Sequence, residues 1–361
     1  MLVESVVNAK SIALIAQEAA SNKIPYLGTG FFPEASQEGI ELNYIKTYKG
    51  LSPILAPSNF DAIPILRGRK GFSKLSTEMP FFREGMQVTE RDMLDLERIE
   101  RETDPYLKQV LKNIYDDTTT LVESAEVVPE VMRMQLLAAP NGTPSITISA
   151  NNVDYTYNYD PDGTYASNNY ETLTGTSAWD DATNSTPLDD INDAKQELID
   201  RGFVPRYILM NSSVWKLLMK SKQIKSVLLT TNAAGTIFIT KDMVKTAIRE
   251  ATDLDVIIYD KTYQNVSGNA EKFYPDNQIT IVPEGALGQT MFGVTPEMRS
   301  ARQVSDVDVA VYGKGISVAT KPTYGPPYKF ETFASEIVLP SYERIDETFV
   351  IKVSSGSAPS A

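Results

Sequence analysis

The sequence contains no cysteine and no histidine. Without cysteine, disulfides and thiolate metal sites are excluded. A zinc site would have to be assembled from carboxylates alone, against that metal's preference for sulfur and imidazole ligands. Without histidine the commonest acid–base group near neutral pH is missing. That weighs against hydrolase and transferase chemistry and leaves carboxylate and lysine mechanisms open. Positive charge is also scarce: 34 Lys and Arg stand against 47 Asp and Glu, a net charge of −13. Tight binding of nucleic acid through phosphate neutralisation normally needs a basic protein. No stretch of eighteen apolar residues occurs, so no membrane-spanning helix is expected. The first twenty residues, MLVESVVNAKSIALIAQEAA, have one Lys and no small-residue cleavage pattern, so they do not read as a signal peptide. The expectation is a soluble chain, cytoplasmic when made.

What is present is enough apolar material for a sizeable core. The 361 residues suggest two or three subdomains. Val3, Val6, Val7, Ile12, Leu14 and Ile15 predict an amphipathic helix over residues 2–20. From Asn22 to Gln87 no helix is convincing, and six prolines punctuate the stretch. Long non-helical stretches are unusual inside a compact domain and usually mark an extended or functional segment. Phe31, Phe32, Phe60, Phe72, Phe81 and Phe82 lie here with too little local periodicity to be buried by the segment itself. Exposed on a monomer they would be a liability. They are therefore read as needing a neighbouring copy.

Thr89 is a good N-cap for a helix that opens with seven acids between Glu90 and Asp104. Leu107, Val110, Leu111, Ile114, Leu121, Val122, Ala125, Val128 and Met132 then recur at helical spacing. They predict a helix over 105–137, kinked or broken at Pro129 and stopped by Ala139–Gly142. Ser145–Tyr159 alternates like a strand pair. Residues 160–187 read as a long polar surface loop. Helices are predicted around 188–199, after an Asn211 cap and at 241–252, with strands at 207–210, 256–259 and 279–282. This is a mixed α/β pattern. Val307, Val309 and Val311, then 330–339 and 348–353, predict closing strands, and the polar tail is expected to lack order.

The candidate chemistry is weak. Asp160, Asp162 and Glu171 fit three positions of a calcium-binding loop, but Tyr165 stands where that loop needs glycine. The pairs Asp180–Asp181 and Asp189–Asp190 read as solvated loop acids and helix-start acids better than as glycosidase carboxylates. Gly28-Thr29-Gly30 has no preceding strand and runs into Phe31-Phe32-Pro33, so it is not a dinucleotide fingerprint. No catalytic, cofactor-binding or metal-binding residue is assigned. Arg67, Arg69, Lys70 and Lys74 form the one basic cluster. It suits phosphate, plain solvation, or docking on an acidic surface such as 90–104 of a neighbouring copy.

The order of landmarks resembles the lambda-type phage major capsid proteins, the phage capsid E family. The landmarks are Phe31-Phe32-Pro33, Gly39-Ile40-Glu41-Leu42, Ser52-Pro53-Ile54-Leu55-Ala56-Pro57, Met79-Pro80, Gln87-Val88-Thr89-Glu90-Arg91-Asp92, Trp179-Asp180, Gly202–Asn211 and Gly293-Val294-Thr295-Pro296-Glu297. The resemblance implies an α+β chain with the Hong Kong 97-type capsid fold. It implies an N-terminal arm over 1–49 and an extended E-loop over 50–87. A peripheral domain with a long spine helix and β-sheet would take 88–150 and 300–361. A mixed α/β axial domain would take 151–299. The implied function is structural: self-assembly into hexamers and pentamers of an icosahedral shell around double-stranded DNA, bound without sequence specificity. An acidic shell suits a container that must not adhere to its DNA. The place is the virion, with the host cytoplasm before assembly, and portal, scaffolding or decoration proteins as further partners. Inter-subunit contacts are expected at Phe31, Phe32, Phe60, Phe72, Phe81 and Phe82. Contacts are also expected between the basic Arg67, Arg69, Lys70 and Lys74 and acids that include Asp92, Asp95 and Glu97. Some proteins of this fold crosslink a loop lysine to an asparagine, but no such pair stands out here. A tail-tube or baseplate subunit is the main alternative, and a carboxylate-dependent hydrolase the next.

Overall fold

A computed structural model describes residues 25–46, 73–91, 105–150, 153–229, 240–300, 308–323 and 325–354. The expected helix at 2–20 and all but the first residue of the tail lie outside these. After Pro25 come one helical turn, α1 (Gly28–Phe31), and strands β1 (Glu34–Ser36) and β2 (Glu41–Lys46). The chain returns through β3 (Ser73–Glu78) and β4 (Phe81–Val88). A helix opens at Glu90, directly after the Thr89 expected to cap it.

Helix α2 runs from Pro105 to Ala138, within a residue of the span its apolar spacing predicts. It passes through Pro129 as one element, so the expected break is not realised. An interior proline costs about 3 kcal/mol. Dense burial around it offsets that cost: Glu130, Met132 and Met134 are all at 0% exposure. The helix stops where Ala139 (φ 42°), Asn141 (φ 53°) and Gly142 (φ 78°) turn left-handed. Its last carbonyls would otherwise be unpaired. Gln278 Nε2 donates to Ala138 O at 2.6 Å, and Thr280 Oγ1 donates to Leu137 O at 2.8 Å.

The alternating stretch beyond becomes a hairpin of β5 (Ser145–Ala150) and β6 (Val153–Asn158). Next come α3 (Thr164–Asn168), β7 (Tyr170–Thr172), α4 (Pro187–Asp200) and β8 (Pro205–Met210). They are followed by α5 (Ser212–Lys220), α6 (Lys222–Leu229), α7 (Lys241–Thr252) and β9 (Asp255–Ile258). Then come β10 (Thr262–Gln264), β11 (Ala270–Lys272), β12 (Gln278–Pro283), β13 (Thr290–Phe292) and α8 (Pro296–Ser300). The closing strands are β14 (Asp308–Tyr312), β15 (Ile316–Thr323), β16 (Lys329–Pro340) and β17 (Phe349–Lys352).

Residues 160–187 are mostly exposed, as expected, but they are not a plain loop. Tyr165 and Trp179 are each 1% exposed, and β7 pairs in parallel with β17. Asp160 accepts hydrogen bonds from Thr164 Oγ1 and from the Tyr165 N–H, which starts α3 and commits both carboxylate oxygens locally. Sparse Tyr and Trp in a polar sequence hid a segment whose partners lie some 180 residues away. Helix α4 ends as its sequence predicts. Gly202 (φ 89°) lets its own N–H reach Ile199 O and the Phe203 N–H reach Leu198 O, the paired bonds of a Schellman cap.

The described residues divide into two compact units. The first draws on the chain up to Tyr44, then Leu75–Met132 and Gly288–Ser341. Its sheet has the order β1-β13-β16-β15-β14, with β4 also on β16. The long strand β16 carries β15 along one side, and along the other β4 followed by β13. The second unit takes most of its residues from Arg133–Leu287 and the segment after Tyr342. Its sheet, β7-β17-β12-β8-β9, joins β8 and β9 in parallel through α5, α6 and α7, as a βαβ crossover requires. Trp179, Ile191, Leu198, Ile208, Trp215 and Ile248 lie in its core.

In the second unit Asn211 ties the start of α5 to the β11–β12 connection. Its Oδ1 accepts from the N–H groups of Ser213 and Val214, and its Nδ2 donates to Pro275 O and to Asp276. Burial opposes ionisation of Asp276. Hydrogen bonds from Lys272, Ser213 and Asn211 outweigh it and hold the carboxyl below its usual range. Asn211→Ala is expected to cost about 2–3 kcal/mol, because a cap and buried acceptors are lost together. Chemical denaturation of the variant measures it.

Candidate inter-subunit surfaces

Phe31 and Phe32, expected to need a neighbouring copy, are 6% and 0% exposed in the single chain. This corrects their assignment as contact residues that cannot be buried alone. The reason is long-range pairing. β1 lies parallel to β13, the Thr290 N–H reaches Pro33 O, and Thr290 Oγ1 donates to Phe32 O at 3.0 Å. The first glycine of Gly28-Thr29-Gly30 points its N–H at Glu130 Oε1, 3.0 Å away.

Phe81 and Phe82 are half-buried at the start of β4, opposite Ile337 and Glu336. The Arg83 guanidinium lies over the Phe81 ring at 4.7 Å and pairs with Glu297. Strands β2 and β3 pair side by side. Lys74 sits on β3. Phe60, Arg67, Arg69, Lys70, Phe72, Asp92, Asp95 and Glu97 lie outside the described residues.

Other features escaped the sequence reading. Tyr26 is surrounded by Glu123, Glu126 and Glu130, and burial together with these charges pushes its hydroxyl up to about 12. Tyr312 donates to Glu126 Oε1 at 2.7 Å, and burial and that carboxylate raise its hydroxyl too. Four apolar side chains stand out in the first unit: Ile40, Met86 on β4, Val311 on β14 and Tyr328, at 44%, 37%, 55% and 52% exposure. A residue opposed to solvent on a strand edge has no signature in a single sequence. Among the described residues there is no group of three or more acids placed to hold a metal, and no helix long and apolar enough to cross a membrane.

This arrangement combines a pair of strands β2 and β3, a long helix, a broad mixed sheet and a second α/β unit. It has the Hong Kong 97-type capsid fold. The sequence pattern of phage major capsid protein E matches residues 15–315, and the chain belongs to that family. Solved structures of similar fold include a protein of an E. coli CFT073 prophage assigned as its capsid protein. It has 12% identity and a TM-score of 0.58, over 96% of this chain and 99% of that one. A phage-related protein of Bordetella bronchiseptica RB50 has 12% identity and a TM-score of 0.54, over 98% and 99%. The capsid asymmetric unit of cyanophage A-1(L) has 11% identity and a TM-score of 0.52, over 91% and 92%. No curated protein sequence matches the chain. The chain is a shell-forming capsid subunit and a virion component.

Proposed function

We propose that copies of this chain join head to tail into hexamers and pentamers that tile an icosahedral shell around double-stranded DNA. The family match over residues 15–315 carries this reading. A heterologous contact closes rings when its rotation permits. Residues 88–150 and 300–361 act as the peripheral domain and 151–299 as the axial domain. Segment 1–49 serves as the arm and 50–87 as the extended E-loop. The net charge of −13 lets the shell hold DNA without binding it tightly. Subunits accumulate in the host cytoplasm before assembly. Portal, scaffolding or decoration proteins are the further partners.

Within such a shell the basic residues Arg67, Arg69, Lys70 and Lys74 reach the acidic segment 90–104 of an adjacent copy. Opposite charge steers such an encounter and fixes its register. Changing Arg67, Arg69 and Lys70 together to Glu is expected to cut shell yield at least tenfold, with the circular dichroism and melting of the dispersed subunit unchanged. Electron microscopy and sedimentation read the yield. Normal shells from the triple variant rule the contact out.

A further inference from the structure

We infer that the β-sheet of the first unit continues from one copy into the next, with β14 of one subunit laid antiparallel against β4 of its neighbour. This rests on the self-assembly proposed above.

A strand edge with unpaired N–H and C=O groups invites another strand, and proteins normally blunt such edges. Several other edges are blunted. β1 and β7 are three residues long. On β5, the N–H and C=O of Thr147 are both taken by the carboxamide of Gln135. On β9, Asp255 is paired with Arg206 and Arg249. β14, with sequence Asp-Val-Ala-Val-Tyr, has no proline, lysine or glycine. Among the described residues no strand pairs with its outer side, or with the outer side of β4.

The directions fit. β4 and β15 both run antiparallel to β16, and β14 runs antiparallel to β15. β14 and β4 therefore point in opposite directions at opposite edges of one sheet. A second copy placed beside the first in the same orientation brings β4 against β14 as one more antiparallel pair.

The side chains fit as well. Tracing paired residues across the sheet puts Val309 and Val311 on the same face as Arg83, Gly85 and Gln87. It puts Asp308, Ala310 and Tyr312 on the face of Glu84 and Met86. Only registers that preserve this parity are allowed. One of them sets Val311 opposite Gly85 and Ala310 opposite Met86, a large residue facing a small one each time. At Gly85 a Cβ would lie 2.5 Å from the Phe333 ring, so that ring covers the glycine. A neighbour's Val311 laid beside Gly85 would bury its exposed methyls against the ring.

The chain has no cysteine of its own, which makes a crosslink decisive. The double variant Ala310→Cys, Met86→Cys, assembled and mildly oxidised, is expected to run as a ladder from dimer to hexamer on a non-reducing denaturing gel. Each single variant should run as monomer. Intact shells that give only monomer from the double variant overturn the inference, and so does a dimer from Ala310→Cys alone, since that means β14 pairs with β14. Val311→Asp supplies a second reading. It is expected to lower shell yield at least tenfold while the subunit keeps its circular dichroism spectrum. Unchanged yield overturns the inference even if the double variant fails to assemble. Failure of the unmodified chain to form closed shells would instead overturn the underlying reading.

Discussion

Gly288→Val is expected to give no folded, assembly-competent subunit. A Cβ at this position would stand 2.0 Å from the carbonyl oxygen of Ser341 and 2.7 Å from its carbonyl carbon. Both atoms are backbone and cannot rotate away. Ser341 is also fixed by its neighbours: its N–H donates to Gln289 O at 2.7 Å, and its Oγ accepts from the Gln289 N–H at 2.9 Å. Relief would require β13 to part from β16 at Thr290 and Pro340, where their pairing begins. The cost should exceed about 3 kcal/mol, the upper end of ordinary overpacking. Soluble yield and thermal melting measure it. Gly30→Ala is the control, because a Cβ there meets nothing within 4 Å. It should stay within about 0.5 kcal/mol of the parent. A Gly288→Val subunit that melts like the parent would show that this close approach does not exist.

Phe32→Ala is expected to destabilise the dispersed subunit by about 3–5 kcal/mol, because the ring is fully buried within the single chain. For a unit of this size that is a fall in melting temperature of roughly 2–4 °C per kcal/mol. Phe82→Ala, at a half-buried site, should move the subunit's melting much less. Differential scanning calorimetry of unassembled protein separates the two. If Phe32→Ala left melting unchanged and reduced only shell yield, the ring would belong to an inter-subunit contact after all.

The helices were largely legible in the sequence because their information is local. The 3.6-residue spacing from Leu107 to Met132 gave the extent of α2. Asn211 marked the start of α5, and Gly202 marked the end of α4 through a backbone angle that few residues accept. Strands β8, β9 and β12 were found as apolar runs. The site was much less legible. The phenylalanines at 31 and 32 look orphaned in sequence because the residues that bury them lie some 260 positions away. The anchors of the polar stretch 160–187 were missed because its few large side chains, Tyr165 and Trp179, give no periodic signal. That β4 and β14 lie at opposite edges of the sheet among the described residues depends on strand order, which no local pattern encodes.

By itself the sequence determined the absence of thiol and imidazole chemistry, the acidic charge, the long helix and the family. The first three follow from residue type or from spacing within a few turns, and the family from the order of landmarks along the chain. Only the tertiary structure decided what completes each element. Gln278 and Thr280 close the end of α2 from 140 residues away. The Ser341 backbone makes glycine obligatory at 288. The direction of β16 sets which edges remain open. Hydrogen bonds and steric contacts act over a few ångströms in space, so distant chain segments had to be brought together before their effects existed.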